Sequence, residues 1–204
     1  MMNDEDKLKP LIIDRAGELF FKFGFSNITI QQIAEELEIS KKTIYKYFSS
    51  KESLLEAVME REHLEMEAQL SELVNDDNLD FLDKTKQLSE LLVLGNSKFG
   101  PQFLKELQKY KFNDWSYHCN SHERLTLYFE KLLHQGIEQG FICKDTNLPV
   151  VLLIIDCLQG HLTYEKLSQM GFSLNKAIDI IIEIMMVGII TDQGRAKLAT
   201  AGTL

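Results

Sequence analysis

Apolar residues recur at helical spacing from the start of the chain. Leu8, Leu11, Ile12, Ala16, Leu19, Phe20 and Phe23 form one stripe and predict a helix over 8–23. Gly24 stands where a glycine ends a helix, and Phe25 can fold back onto the stripe. Thr29-x-x-Gln32 has the form of a capping box, and Ile33, Ala34 and Leu37 make the inner face of the helix behind it. After a three-residue turn, Ser40 caps a third helix over 41–48. Ser49-x-x-Glu52 reads as a second capping box, opening a fourth helix that runs to Val74. Asn75-Asp76-Asp77-Asn78 breaks the pattern. Further helices are expected at 79–94, 101–111, 121–139, 147–170 and 174–191, punctuated by Gly95, Gly100-Pro101, Gly140 and Gly171. Residues 112–120 follow no period, and 193–204 reads as a frayed tail.

Strand-like alternation is scarce throughout, so the expected class is all-α. The chain has 204 residues, 45% of them hydrophobic, which suffices for a buried core in one or two domains. The N-terminus from Met1 to Lys7 lacks the basic start and apolar run of a signal peptide. The longest apolar stretches, 148–158 and 180–190, are too short to span a bilayer. No membrane partner and a cytoplasmic location are therefore expected. Cys119, Cys143 and Cys157 are irregularly spaced and suggest neither a disulfide framework nor a zinc site.

Net charge changes the picture at one place. The chain as a whole carries −9, yet 40–51 holds Lys41, Lys42, Lys46 and Lys51 and no acid. On a helical wheel for 41–48, Ile44 and Phe48 point together toward a core. Lys42, Thr43 and Lys46 project the opposite way, with Lys41, Tyr45 and Tyr47 on the flanks. A helix that enters a DNA groove needs donors at its tip and phosphate binders at its sides. Lys42, Thr43 and Lys46 are the candidates for base edges, and Lys41, Tyr45, Tyr47 and Lys51 for phosphates. Ser40 belongs to the same surface, as do Thr29 and Gln31, whose helix start presents free N–H groups to an anion. The plain alternative is an amphipathic helix with a solvated lysine face. Two capped helices, a tight turn and two tyrosines beside the lysines favour a helix-turn-helix.

This block resembles the N-terminal head of the tetracycline-repressor (TetR) family of bacterial transcriptional regulators. Phe20, Gly24 and Phe25 match, followed by Thr29, Ile33, Ala34, Ile39, Ser40, Thr43, Ile44, Tyr45, Phe48, Lys51, Glu52, Leu54 and Leu55. The resemblance implies a homodimeric, ligand-responsive repressor on a palindromic operator of double-stranded DNA. It implies a DNA-binding domain at 1–58 and a helical ligand-binding and dimerisation domain at 59–204. Two departures stand out. Glu38 occupies a turn position where the family usually has glycine, and a left-handed backbone there would cost about 1 kcal/mol. Lys42 also stands where the family often has glycine, so operator preference cannot be copied from relatives.

The stretches 147–170 and 174–191 are apolar on nearly every side and need cover on more than one face. A partner copy of the chain is the expected cover, giving a two-fold four-helix interface. Between 79 and 134 the aromatics Phe81, Phe99, Phe103, Tyr110, Trp115 and Tyr128 are candidates to line the pocket of an unidentified small-molecule effector, with core packing the competing role. His118-Cys119-x-x-His122 offers too few ligands for a metal site, and no metal or other cofactor is expected. The chain has no glycine-rich phosphate loop, no Gly-x-Ser-x-Gly and no metal-ligand helix, so enzymatic activity is not expected. The competing function is a helical protein-interaction module that keeps a helix-turn-helix as scaffold.

Overall fold

In a computed structural model of the chain, residues 4–109, 121–161 and 164–200 are described. Their secondary structure is helical apart from one isolated antiparallel bridge, Ile142 to Ile190. The helices are α1 (Asp4–Phe23), α2 (Ile30–Glu36), α3 (Lys41–Tyr47), α4 (Lys51–Asn75), α5 (Phe81–Ser97), α6 (Pro101–Lys109), α7 (Ser121–Glu138), α8 (Leu148–His161), α9 (Tyr164–Gln169), α10 (Leu174–Ile189) and α11 (Asp192–Thr200).

The chain divides into two compact units. One comprises α1, α2, α3, α4 as far as Glu65, and α6; the other begins at Met66 and comprises the rest of α4, α5 and the helices from α7 onward. The head unit therefore reaches past Val58 and also takes in α6, which the sequence assigns to the body.

The head is built on the stripe read from α1. Ile12, Ala16 and Phe20 are fully buried and pack with Ile33 and Ala34 of α2, Ile44 of α3 and Leu54 of α4. α6 joins this core through Phe103. The Phe103 ring meets Phe21 edge-on at 5.0 Å between centroids, and Phe99 completes the cluster at 4.9 Å from Phe21. Such edge-on pairs stabilise by about 1 kcal/mol beyond the area they bury. Gly100 closes the join, its N–H donating to the Phe21 carbonyl at 2.8 Å. Lys98 lies over the rings of Phe21 and Phe99 and pairs with Glu62 of α4.

The second unit has its own core of Leu70, Val74, Phe81, Leu88, Leu132, Leu133 and Ile142. Its α5 packs against α7 and α10. Lys84 is buried there at 2% exposure. Its ammonium donates to the Val74 carbonyl at 2.8 Å and to Gln135 Oε1 at 2.9 Å, satisfying an end carbonyl of α4.

Three sequence expectations are corrected. The fourth helix is capped by Ser50 and not Ser49. Ser50 Oγ accepts from Ser53 N–H at 3.0 Å, and Ser53 Oγ accepts from Ser50 N–H at 3.0 Å. Phe48 takes an extended conformation to bury its ring, which moves the cap one residue on. The stretch 147–170 forms two helices, α8 and α9, among its described residues. The tail is not frayed up to Thr200: Thr191 Oγ accepts from Gly194 N–H at 3.1 Å and opens α11. Lys197 then pairs with Asp80 and lies over the Phe141 ring. Residues 201–204 lie outside the described residues.

Candidate nucleic-acid interface

The interface starts from two capped helices and the turn between them. Thr29 Oγ accepts from Gln32 N–H at 3.2 Å, and Gln32 Oε1 accepts from Thr29 N–H at 2.8 Å, so the expected capping box is present. The end of α2 is a Schellman motif. Ile39 N–H donates to the Ala34 carbonyl at 2.9 Å and Glu38 N–H to the Glu35 carbonyl at 3.1 Å. That motif needs a left-handed residue, and Glu38 supplies it at φ 54°. The same motif ends α7 and α9, where Gly140 and Gly171 hold the left-handed position at 76° and 79°.

Ser40 caps α3, its Oγ accepting from Thr43 N–H at 3.1 Å. Ile44 and Phe48 anchor α3 in the head core at 0% and 5% exposure. The opposite side carries Lys41, Lys42, Tyr45 and Lys46, all exposed. Thr43 is half-buried, and its hydroxyl shares a hydrogen bond with Ser40 Oγ at 2.8 Å. Tyr47 is half-buried against the core edge. Thr29, Gln31 and Ser40 are exposed at the two helix starts, with Gln31 Nε2 bonded to Glu35. Arg15 is held by Glu18 and Glu36.

Lys51 differs from the other cations. Its ammonium lies 4.1 Å from the centroid of Phe25 and 5.9 Å from that of Phe20. Burial pushes its pKa down, against an upward pull from Glu52 and Glu106.

Residues 12–58 match the model of bacterial regulatory proteins of the tetR family. An HTH-type transcriptional regulator of Bacillus subtilis (strain 168), YvaF, is 37% identical over 104 residues, 51% of this chain and 54% of its own length. Over residues 12–58 the chain carries the DNA-binding head of the TetR family. It spans about half the length of that curated relative. The fold extends the likeness beyond the head. The regulatory protein TetR from Rhodobacter sphaeroides superposes with a TM-score of 0.68 at 14% identity, covering 89% of this chain and 99% of its counterpart. SmeT, the repressor of the Stenotrophomonas maltophilia multidrug efflux pump SmeDEF, gives 0.63 at 15% identity over 93% of this chain and 94% of SmeT. The matched segment contains α2 and α3, which form the helix-turn-helix of the head.

The proposed pocket aromatics divide between cores. Phe99 and Phe103 belong to the head cluster, whereas Phe81 and Tyr128 belong to the cluster of the second unit. Phe81 and Phe103 are each 1% exposed and act as core side chains. Tyr110, Trp115, His118 and Cys119 lie outside the described residues, as does the side chain of His122. Among the described residues no cluster of three His, Cys, Asp or Glu side chains has the geometry to hold a metal. No helix among them is long and apolar enough to cross a membrane.

One residue escaped the sequence reading. Glu106 on α6 is 3% exposed and touches the turn that leads into α2. The only sequence signal is its spacing of three from Phe103, which puts a carboxylate on the buried face of α6.

Proposed function

We propose that the protein is a ligand-responsive transcriptional repressor that binds a palindromic operator as a homodimer. The observation that carries this reading is the division of α3 into an anchored face, Ile44 and Phe48, and an exposed face, Lys42, Tyr45 and Lys46. Lys42, Thr43 and Lys46 read base edges in the major groove. Lys41, Tyr45, Tyr47 and Lys51 hold phosphates, with Thr29, Gln31 and Ser40 adding contacts at helix starts where N–H groups favour an anion.

The second copy is supported by apolar surface. Val150, Leu153 and Ile154 on α8 are 49%, 59% and 45% exposed, and Ile184 and Val187 on α10 are 66% and 47% exposed. Stripes of this kind mark association surfaces. A two-fold pair of heads addresses half-sites about 34 to 36 Å apart, or a multiple of one turn. A small molecule in the body that favours a different head spacing releases the operator by population shift.

The test is selection of bound duplexes from a random pool, followed by salt titration of the selected sequence and a screen for small molecules that release it. Affinity falls steeply as salt rises, because several lysines displace counterions. Tyr45→Ala and Lys51→Ala each weaken binding and leave the dimer intact, while Lys46→Ala relaxes preference at one position of the selected sequence. Binding that is flat in salt, with no preference among duplexes, points instead to a protein-interaction module.

A further inference from the structure

Glu106 is a buried carboxylate on a helix that makes no part of the DNA-facing surface. Its Oε2 accepts from Ser26 N–H at 3.1 Å, and its Oε1 accepts from Gln102 Nε2 at 2.7 Å. The turn it holds is Gly24-Phe25-Ser26. Gly24 has φ 91°, and a Cβ there would lie 2.5 Å from Gln102 Cγ and 3.2 Å from Glu106 Oε2. α6 and the turn are therefore in close contact. Phe25 is 3% exposed and pinned by an edge-on contact with Phe20 at 5.2 Å. Its ring in turn carries the Lys51 ammonium at 4.1 Å. A carboxylate, a turn, a ring and a lysine thus run in sequence from α6 to the start of α4.

We propose that Glu106 is a positioning residue for DNA binding: it fixes the Gly24–Ser26 turn so that the Phe25 ring holds the Lys51 ammonium where it meets a phosphate. The proposal rests on the DNA-binding reading above and adds a residue from outside the helix-turn-helix to it. Two physical facts support it. A long lysine side chain loses rotamer freedom when it contacts a phosphate, and a preformed cation–π contact removes part of that loss beforehand. A buried carboxylate must be fully hydrogen-bonded to be tolerated, so removing its charge loosens the groups that satisfy it. The pull of Glu106 on the Lys51 pKa is consistent with their proximity.

The experiment is a double-mutant cycle read by duplex binding. Lys51→Gln, Glu106→Gln and the double variant are titrated with the selected duplex at several salt concentrations, alongside thermal unfolding of each. In the otherwise native protein Glu106→Gln weakens binding by about tenfold, the worth of one charged contact. Its salt slope falls by about one counterion, as that of Lys51→Gln does. In the Lys51→Gln background the Glu106 substitution has little further effect, because the group it positions is gone. Phe25→Leu keeps apolar bulk, removes the ring and gives the same loss of slope, which covers the case of a poorly folded Glu106 variant. A Glu106 effect that adds fully to the Lys51 effect, an unchanged slope, or tighter binding in Glu106→Gln overturns the proposal. If the native chain binds no duplex, the DNA-binding reading fails with it; if native binding and the Lys51 effect are present, only the role of Glu106 fails.

Discussion

Glu38 adopts the left-handed conformation that two glycines supply at the ends of α7 and α9. Both Schellman hydrogen bonds of α2 depend on it, so the turn keeps its geometry and Glu38 bears the strain. Replacing Glu38 with glycine is expected to stabilise the fold by about 0.5 kcal/mol in urea unfolding, the strain relieved exceeding the added chain entropy. A loss of stability would show that the side chain contributes more than its backbone costs. Glu106 leads to a prediction about pH. Burial alone would raise its pKa, but hydrogen bonds from Gln102, Ser26 and the Phe25 backbone outweigh that and hold it below its ordinary value of 4.5. A carboxylate depressed on folding stabilises the protein above its unfolded pKa, and that contribution is lost as pH falls through the folded value. The stability gap between the native chain and Glu106→Gln should therefore be constant near neutrality and shrink below 4.5. A gap independent of pH would mean that folding does not shift the Glu106 pKa.

Caps decide where elements begin. The reciprocal bonds between Ser50 and Ser53 start α4, and Ser49 makes only a long contact to Ser53 Oγ at 3.4 Å. Ser50→Ala should cost about 1 kcal/mol in thermal or urea unfolding, and Ser49→Ala much less. The reverse order would restore Ser49 as the cap. Local sequence leaves the cap register open, because both serines have a partner three residues on, Glu52 for Ser49 and Ser53 for Ser50. The choice depends on burying Phe48, which is a tertiary requirement. For α11, polar composition suggested fraying, and the contacts that order it are long-range: Lys197 to Asp80, and Gly194 against Ile190 and Phe141. Local propensity carries no information about such partners.

For the whole molecule, the consequence is assembly. The exposed apolar stripes of α8 and α10 would be costly to leave in water. Leu153→Glu, which puts a charge in the middle of one stripe, should convert the proposed dimer to monomer in analytical ultracentrifugation. It should also weaken binding to a two-half-site duplex far more than to a single half-site. A Leu153→Glu protein that stays dimeric would remove α8 from the interface. The expected boundary near Val58 lies inside the fourth helix, as a helix shared by two lobes, and no local pattern assigns α6 to the head. That assignment rests on aromatic packing of Phe21, Phe99 and Phe103 and on the Gly100 to Phe21 hydrogen bond, between residues far apart in the chain.

Periodicity, capping residues and the local run of lysines were enough to establish the all-α class, the helix-turn-helix and the division of α3 into anchored and exposed faces. These are short-range properties, set by spacings of three and four residues along one helix. Packing alone revealed the carboxylate of Glu106 behind the Ser26 turn, the ring beneath Lys51 and the separation of the body aromatics into different cores. Each of these pairs residues distant in the chain, and their meeting depends on how buried surfaces fit together, which no local pattern encodes.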